Sequence, residues 1–347
     1  MRRHLSPARP AAGRLAAAAV ALGLVVLVAC GGSDSSSTTS PSGASKVSLA
    51  YSAWPGWFPW QVAQEKGIFA AHDLDVNLRF FESYTDSLNA LATGNVDANS
   101  QTLNDTLSSV VAGSKQTIVL VNDNSTGNDQ VIVGPGIERV EDLRGKKVAV
   151  EEGTVDHYLL LLGLEKAGMK QSDVSLQRLL TDAAAAAFAS GQVDAVGAFA
   201  PFTTEARKRE GSTVLFTSKD FPGAIPDHLV FSTDFVQSHP DVVQKLVDAW
   251  FDTIAFIKAN PDESVAIMAK KGGVSPEDYK SYNEGTTIFT VADNVEAFAP
   301  GTDSKHLDYQ ASKISDFLVG TGLIDKAPDL AGLFEPRFVQ ARAAAGG

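Results

Sequence analysis

Two stretches of this chain echo each other. Asp75 to Ala98 closes on Ala90-Leu91-Ala92-Thr93-Gly94-Asn95-Val96-Asp97-Ala98, and Asp173 to Ala195 closes on Ala187-Phe188-Ala189-Ser190-Gly191-Gln192-Val193-Asp194-Ala195. Each reads as a strand leading into a helix, a glycine (Gly94 or Gly191) ending that helix, and a new strand opening at Asp97 or Asp194. A unit that recurs after about a hundred residues predicts two similar α/β lobes and not one long sheet. The surrounding pattern agrees. Short apolar or β-branched runs at Val47 to Tyr51, Val76 to Phe81, Ala98 to Ser100, Thr117 to Asn122, Gln130 to Val133, Lys147 to Val150, Ser175 to Leu179 and Ala195 to Phe199 alternate with helical stretches. That alternation predicts βαβ units and largely parallel sheets.

Between the echoes, the polar, turn-forming run Asn122 to Asp129 predicts a crossing from one lobe to the other. A second crossing fits Ser218 to His228, which contains Pro222, Gly223 and Pro226. The boundaries that follow are 46–124 with 222–347 for lobe 1 and 125–221 for lobe 2. After the second crossing the chain turns helical. Ser238-His239-Pro240-Asp241 opens a helix to about Ala259, Pro261 opens another, and Ser275-Pro276-Glu277-Asp278 a third. Val243, Leu246, Val247, Trp250, Ile254 and Ile257 fall at helical spacing and are expected in the core.

Ahead of the lobes, Met1 to Ala29 reads as a targeting segment. Arg2, Arg3, Arg9 and Arg14 make a positive leader, Leu15 to Val28 an apolar run, and Leu27-Val28-Ala29-Cys30 a small-residue ending. That ending resembles a bacterial lipobox, which implies cleavage before Cys30 and lipidation of its thiol. Cys30 is the chain's one cysteine, so no intramolecular disulfide, thiolate metal site or thiol catalysis is expected in the body. Residues 30–45, rich in Gly, Ser and Thr, are expected to be a flexible tether. Removing the four leader arginines leaves 25 basic residues against 41 acidic, from 29 against 41. Nucleic-acid binding needs basic clusters, so it is not expected.

Three of the four tryptophans stand in one strand-to-helix loop, Tyr51-Ser52-Ala53-Trp54-Pro55-Gly56-Trp57-Phe58-Pro59-Trp60. In an open α/β sheet such a loop lies at the carboxyl edge, where ligands bind. These indoles either wedge the first helix onto the sheet or wall a ligand pocket. The other loops expected at the cleft carry Glu82, then Asn104 and Asp105, then Asp123 with Asp129, and finally Glu151-Glu152-Gly153-Thr154-Val155-Asp156-His157. None of the five stretches holds a lysine or arginine. An oxyanion site would offer an arginine fork or helix N-termini free of carboxylates. Carboxylates beside Trp faces suit a planar cation or a donor-rich neutral solute. The expected ligand contacts are Ser52, Trp54, Trp57, Glu82, Asn104, Asp105, Asp123, Thr154, Asp156 and His157. Capping of helices by acidic residues is the plainer use of any one of these carboxylates.

Taken together, leader, tether, echoing lobes and helical C-terminal region resemble a substrate-binding protein of an ABC importer. The residues that carry a narrower likeness are Val62-Ala63-Gln64-Glu65-Lys66-Gly67-Ile68-Phe69, Leu91 to Ala98, and Val140-Glu141-Asp142-Leu143-Arg144-Gly145-Lys146-Lys147-Val148-Ala149. They resemble the group of nitrate, taurine, aliphatic-sulfonate and thiamine-precursor binding proteins. A finer likeness, on Tyr51 to Trp57, Asn122-Asp123, Gly127-Asn128-Asp129 and Val155-Asp156-His157, is to urea carboxylase-associated proteins connected with guanidine use; Ala53 departs from it where a polar residue is expected.

This resemblance implies a type II periplasmic-binding-protein fold, α/β, with two Rossmann-like lobes joined by two crossing segments. It also implies a monomeric, lipid-anchored protein on the extracytoplasmic face of the cell membrane, delivering a small nitrogen-rich solute to a permease and its ATPase without a cofactor. Sulfonate, taurine or nitrate cargo is the alternative and would need a basic group such as Arg207 or Lys219 in the cleft; a pyrimidine thiamine precursor stacked on Trp57 is a further one. A sensory or adhesive surface role would use the same fold. A related yeast-type pyrimidine synthase does chemistry on this fold with a histidine-containing site. Here only His157 falls in a cleft loop, no phosphate loop, serine elbow or paired-histidine metal spacing is present, and catalysis is not expected.

Overall fold

A computed structural model describes residues 43–346. The leader, Cys30 and the tether up to residue 42 lie outside the described residues. The last tether position, Ser45, is already paired in a strand.

Among the described residues eleven strands form two sheets. The first sheet holds β1 (Ser45–Tyr51), β2 (Leu74–Phe80), β3 (Ala98–Thr102), β4 (Gln116–Ser125), β10 (Pro226–Ser232) and β11 (Thr286–Ile288), in the order β11-β4-β10-β3-β1-β2. The second holds β5 (Asp129–Val133), β6 (Lys147–Val150), β7 (Ser175–Arg178), β8 (Ala195–Phe199) and β9 (Thr213–Thr217), in the order β7-β6-β8-β5-β9. Helices α1 (Pro59–Glu65), α2 (Ile68–Ala71), α3 (Tyr84–Ala92) and α4 (Leu103–Val111) accompany the first sheet, and α5 (Val155–Lys166), α6 (Thr181–Ala189) and α7 (Phe202–Ala206) the second. The C-terminal part adds α8 (Thr233–Ser238), α9 (Pro240–Ala259), α10 (Pro261–Gly272), α11 (Pro276–Ser281), α12 (Val291–Phe298), α13 (Leu307–Thr321) and α14 (Arg337–Ala344). Among the described residues no helix is long and apolar enough to cross a membrane.

The echo has a physical cause. In each copy the helix ends on a glycine in the left-handed region, Gly94 at φ 72° and Gly191 at φ 76°, where a side chain would be strained. The aspartate three residues on then joins the third strand to the first. Asp97 N–H donates to Ser48 O while its carboxylate accepts from Ser48 N–H at 2.8 Å and Ser48 Oγ at 2.6 Å. Asp194 N–H donates to Lys147 O and its carboxylate accepts from Lys147 N–H at 2.8 Å.

The expectation of largely parallel sheets needs correction. Strands of each repeat pair in parallel (β2-β1-β3 and β7-β6-β8), but β10 runs antiparallel to β3 and β4, β11 to β4, and β5 to β8 and β9. The reason is connectivity. β5 and β10 enter their sheets from the opposite lobe with no intervening α-helix, so no crossover turns them to run with their neighbours. The first crossing is also shorter than the polar run implies, because Asn122 to Ser125 belong to β4 and only 126–128 link the sheets. The helical stretch that follows the tryptophan loop is interrupted at Gly67, which separates α1 from α2. The three C-terminal helix starts appear at Pro240, Pro261 and Pro276, with Ser275 Oγ capping the Asp278 N–H. Trp250 and its neighbours on α9 are buried, Ile254 and Ile257 half-buried.

Candidate functional site

After β1 the chain coils tightly, Trp57 N–H and Phe58 N–H both donating to Trp54 O. This coil separates the three indoles by role. Trp60 wedges α1 onto the sheet, its ring 4.6 Å from Trp250 and its Nε1–H donating to Ser100 Oγ at 2.9 Å. Trp54 and Trp57 instead face a small cavity of about 10 Å³ between the sheets. The wedge reading of the loop fits Trp60, and Trp54 and Trp57 line the cavity.

Four rings wall that cavity. Trp54 lies 6.4 Å from Trp57, Trp57 5.5 Å from Tyr84, Tyr84 6.3 Å from Phe199, and Phe199 6.3 Å from Trp54, so the rings form a closed circuit. Phe199 ends β8 of the second sheet and the other three belong to the first, so the circuit spans the cleft. Thr102, Asp129 and Asp227 complete the polar lining, and among the described residues lining the cavity there is no lysine or arginine.

The electrostatics are one-sided. Asp123 is wholly buried on β4 and accepts from Trp54 Nε1–H at 2.9 Å through Oδ1. Its Oδ2 has no donor, and neither oxygen of Asp227, its partner across the β4–β10 ladder, has one. With both ionised these groups would repel. Burial raises Asp123 to about 7, the Trp54 hydrogen bond opposing; burial and then the Asp123 charge push Asp227 well above the usual carboxylate range. Burial likewise raises Asp105 and Asp129 to about 7, and Asp156 well above its ordinary value. Gly56 permits the approach of the loop to β4, since a Cβ there would stand 2.0 Å from Asp123 Oδ2.

The other expected contacts divide. Ser52 is buried with Oγ unpartnered and lines a second small cavity toward the cleft mouth. Glu82 also lines that space but is exposed, beside Lys271. Asp105 accepts from Thr102 Oγ1 at 2.7 Å and from Asn104 Nδ2 at 2.9 Å, and it meets the Val155 N–H at the start of α5. Asn104 is thereby a neighbour of the acid cluster, with only its Oδ1 unpartnered. Thr154 spends its hydroxyl on Glu151 O at 2.9 Å. Asp156 accepts from Thr181 Oγ1 at 2.7 Å and leaves Oδ1 free.

His157 turns away from the cavity. Its Nδ1 accepts from Gly153 N–H at 3.2 Å and its Nε2–H donates to Gln171 Oε1 at 2.7 Å, an arrangement that satisfies the neutral ring; burial lowers its pKa. Arg207 and Lys219 are exposed and outside the lining, Arg207 donating to Gln130 Oε1. Tyr84, Phe199, Asp227 and the bridging role of Glu151 were not anticipated. Asp227 follows Ile225-Pro226 at the mouth of the second crossing, and a crossing strand must begin at the cleft; that position was the available signal.

Two sheets of this kind, linked by two crossings with a buried site between them, define the periplasmic-binding-protein-like class of α/β proteins. The chain belongs to the NMT1/THI5-like family, whose model matches residues 54–264, more than half of its length. A protein of Brucella abortus (strain 2308) named as a binding protein is 33% identical over 213 residues, 60% of this chain and 66% of the relative, so the chain spans just under two thirds of that relative's length. The taurine-binding periplasmic protein of Escherichia coli (strain K12) is 29% identical over 67% of this chain and 75% of its own length.

In fold, the alkanesulfonate-binding protein SsuA from Xanthomonas axonopodis pv. citri, solved bound to MOPS, superposes with a TM-score of 0.72 at 18% identity, covering 84% of this chain and 98% of SsuA. These relatives are named as binding proteins. The desulfurization enzyme DSZB shares the fold at a TM-score of 0.62 and 17% identity, covering 87% of this chain and 100% of the enzyme. Taurine and alkanesulfonate are the ligands those names give, and guanidine and urea are not among them.

Proposed function

We propose that this protein is the solute-binding component of an ABC importer. It captures a small molecule between its lobes and presents the closed form to a permease and its ATPase, from the extracytoplasmic face and held there by lipid on Cys30. A solute shifts the protein toward closure only as far as it binds that form better. A smaller radius of gyration at saturation is the expected result in small-angle scattering. Cys30→Ala is expected to release the protein from the membrane.

For the cargo, the geometry supports a small planar cation or donor-rich solute of the guanidinium or urea kind. The observation that carries this is the surplus of acceptors around the ring circuit: Asp123 Oδ2, Asp129 Oδ2 and both oxygens of Asp227 are buried without a donor. A guanidinium against Trp faces gains about 0.5 to 2 kcal/mol, and carboxylates accept its paired N–H groups. The cavity of about 10 Å³ has room for about one water, so a solute of this kind enters only with the lobes moved apart, in keeping with capture by closure.

The second reading is taurine or another sulfonate, and kinship backs it better than it backs guanidine. Taurine carries an ammonium that suits the acidic end. Its sulfonate needs donors, and the nearby N-terminus of α5 already faces the carboxylate of Asp105.

A thermal-shift screen with guanidinium, urea, taurine, an alkylsulfonate and nitrate at low millimolar concentration and matched salt separates the readings. A solute at about 100 times its dissociation constant stabilises the fold by about 2.7 kcal/mol. Stabilisation by guanidinium or urea alone supports the acceptor-rich site. Stabilisation by a sulfonate or nitrate alone overturns the charge reading and leaves the importer reading intact.

A further inference from the structure

We propose that Glu151 is a specificity-determining residue: a built-in anion that fills a donor cradle formed by the first turns of α3 and α6 and clamps the two lobes across the cleft. The inference rests on the reading that the lobes open and close around a solute.

The first N–H groups of a helix have no partner inside it. In α3, Ser83 Oγ accepts from Asp86 N–H, which leaves the Thr85 N–H to find another acceptor. That acceptor comes from the other lobe. Glu151 Oε1 takes the Thr85 N–H at 3.2 Å and also the Thr85 hydroxyl. Glu151 Oε2 takes the Thr181 N–H at 3.2 Å and the Thr181 hydroxyl at 2.8 Å. The carboxylate is 4% exposed and holds two donors on each oxygen. That set leaves little room for an outside anion, and ionised carboxylates only accept.

The cradle is built by the echo. α3 and α6 are the corresponding helices of the two repeats, and each offers a first-turn N–H with a threonine hydroxyl. Two helix N-termini facing one point attract a small anion. Here the protein supplies that anion itself, from the loop after β6. The same contact couples the pocket to closure. Thr181 Oγ1 stands 2.8 Å from Glu151 Oε2 and 2.7 Å from Asp156 Oδ2, and its one proton serves only one of them. With that proton on Glu151, a protonated Asp156 donates to the Thr181 oxygen. The chain Asp156, Thr181, Glu151, Thr85 thus runs from the acid cluster to the opposite lobe.

Amide hydrogen exchange tests this without any cargo. In the native protein the Thr85 amide is expected to be protected, and in Glu151→Ala to exchange at least about tenfold faster while the Asp86 amide is unchanged. Formate at tens of millimolar is expected to slow Thr85 exchange again in Glu151→Ala and to do nothing in the native protein. Thr85→Val, which keeps Glu151 and removes one hydroxyl, gives a second reading if Glu151→Ala does not fold, with a smaller acceleration at the same amide.

A Thr85 amide that is unprotected in the native protein, that stays protected in both variants, or that formate leaves unchanged in a folded Glu151→Ala overturns the proposal. Failure of every solute in the thermal screen would sink the cargo reading and leave this one standing.

Discussion

The two repeats keep the same joints and carry different loops. Asp97 and Asp194 do the same work at the same place, tying the third strand of each unit to the first. The loops that leave those first strands share nothing. Residues 52–58 bring Trp54 and Trp57 with no charge, and residues 151–154 bring Glu151 and Glu152 with no aromatic ring. The fold constrains strand joints through backbone pairing that any homologous unit must satisfy. It leaves the carboxyl-edge loops free, and there one lobe became the aromatic wall while the other supplies the clamp.

Substitutions that separate joint from loop sharpen that contrast. The largest effect is expected at Trp60, whose ring is fully buried against Trp250. Trp60→Ala should cost about 3 to 5 kcal/mol in denaturant unfolding, whereas Trp57→Leu should leave stability within about 1 kcal/mol and weaken solute binding several-fold. If both lose stability equally, the division of the indoles between core and site fails.

Asp227 comes next. Because neither of its oxygens finds a donor, Asp227→Asn should raise the melting temperature of the unliganded protein. The same substitution should cut guanidinium affinity about 100-fold, or about 2.7 kcal/mol, by titration calorimetry. A destabilised variant with normal affinity would make Asp227 a structural residue.

At the joints, Asp97→Ala should cost about 1 to 3 kcal/mol and leave affinity untouched. Asp194→Ala should cost less, because its carboxylate accepts from one Lys147 donor where Asp97 accepts from two of Ser48. Equal costs would break the link between the hydrogen-bond count and the echo.

The smallest effect is the pH dependence of the unliganded fold. Asp105, Asp123 and Asp129 hold their protons up to about 7 when folded and lose them near 4 when unfolded. The folded state therefore binds more protons between those values, and stability falls as pH rises from about 4 through about 7. Asp142 and Asp173, exposed carboxylates with lowered values, act in the opposite sense only at lower pH, while His157 and His228, whose values burial lowers, act in the opposite sense up to about 6.5. Melting curves from pH 6.5 to pH 8 therefore check the sign of the carboxylates; a midpoint that rises across this window is the opposite result.

Much of the scaffold was legible because strand runs, glycine stops and helix-opening prolines are local signals. Lys147 to Val150 and Ala195 to Phe199 are strands to the residue. The polar run Asn122 to Ser125 misled, because polarity there reflects a strand end facing the acid cluster and not a loop. His157 lies apart from the cavity for a helical reason: it stands beyond Val155 and Asp156 on the first turn of α5, and each residue turns the side chain by about 100°. Tyr84 and Phe199 became visible only when two lobes distant in sequence were brought face to face, since nothing in a local pattern pairs the start of α3 with the end of β8.

The central claim is that an acceptor-rich pocket takes a donor-rich solute, and proton linkage tests it most directly. Titration calorimetry of guanidinium and of taurine, at pH 6 and pH 8 in buffers of different ionisation enthalpy, reads protons released or taken up on binding. A cation that draws the raised carboxylates into their ionised form releases protons, so guanidinium affinity is predicted to rise with pH. Proton uptake on taurine binding, with affinity falling as pH rises and no guanidinium heat at either pH, would contradict the account.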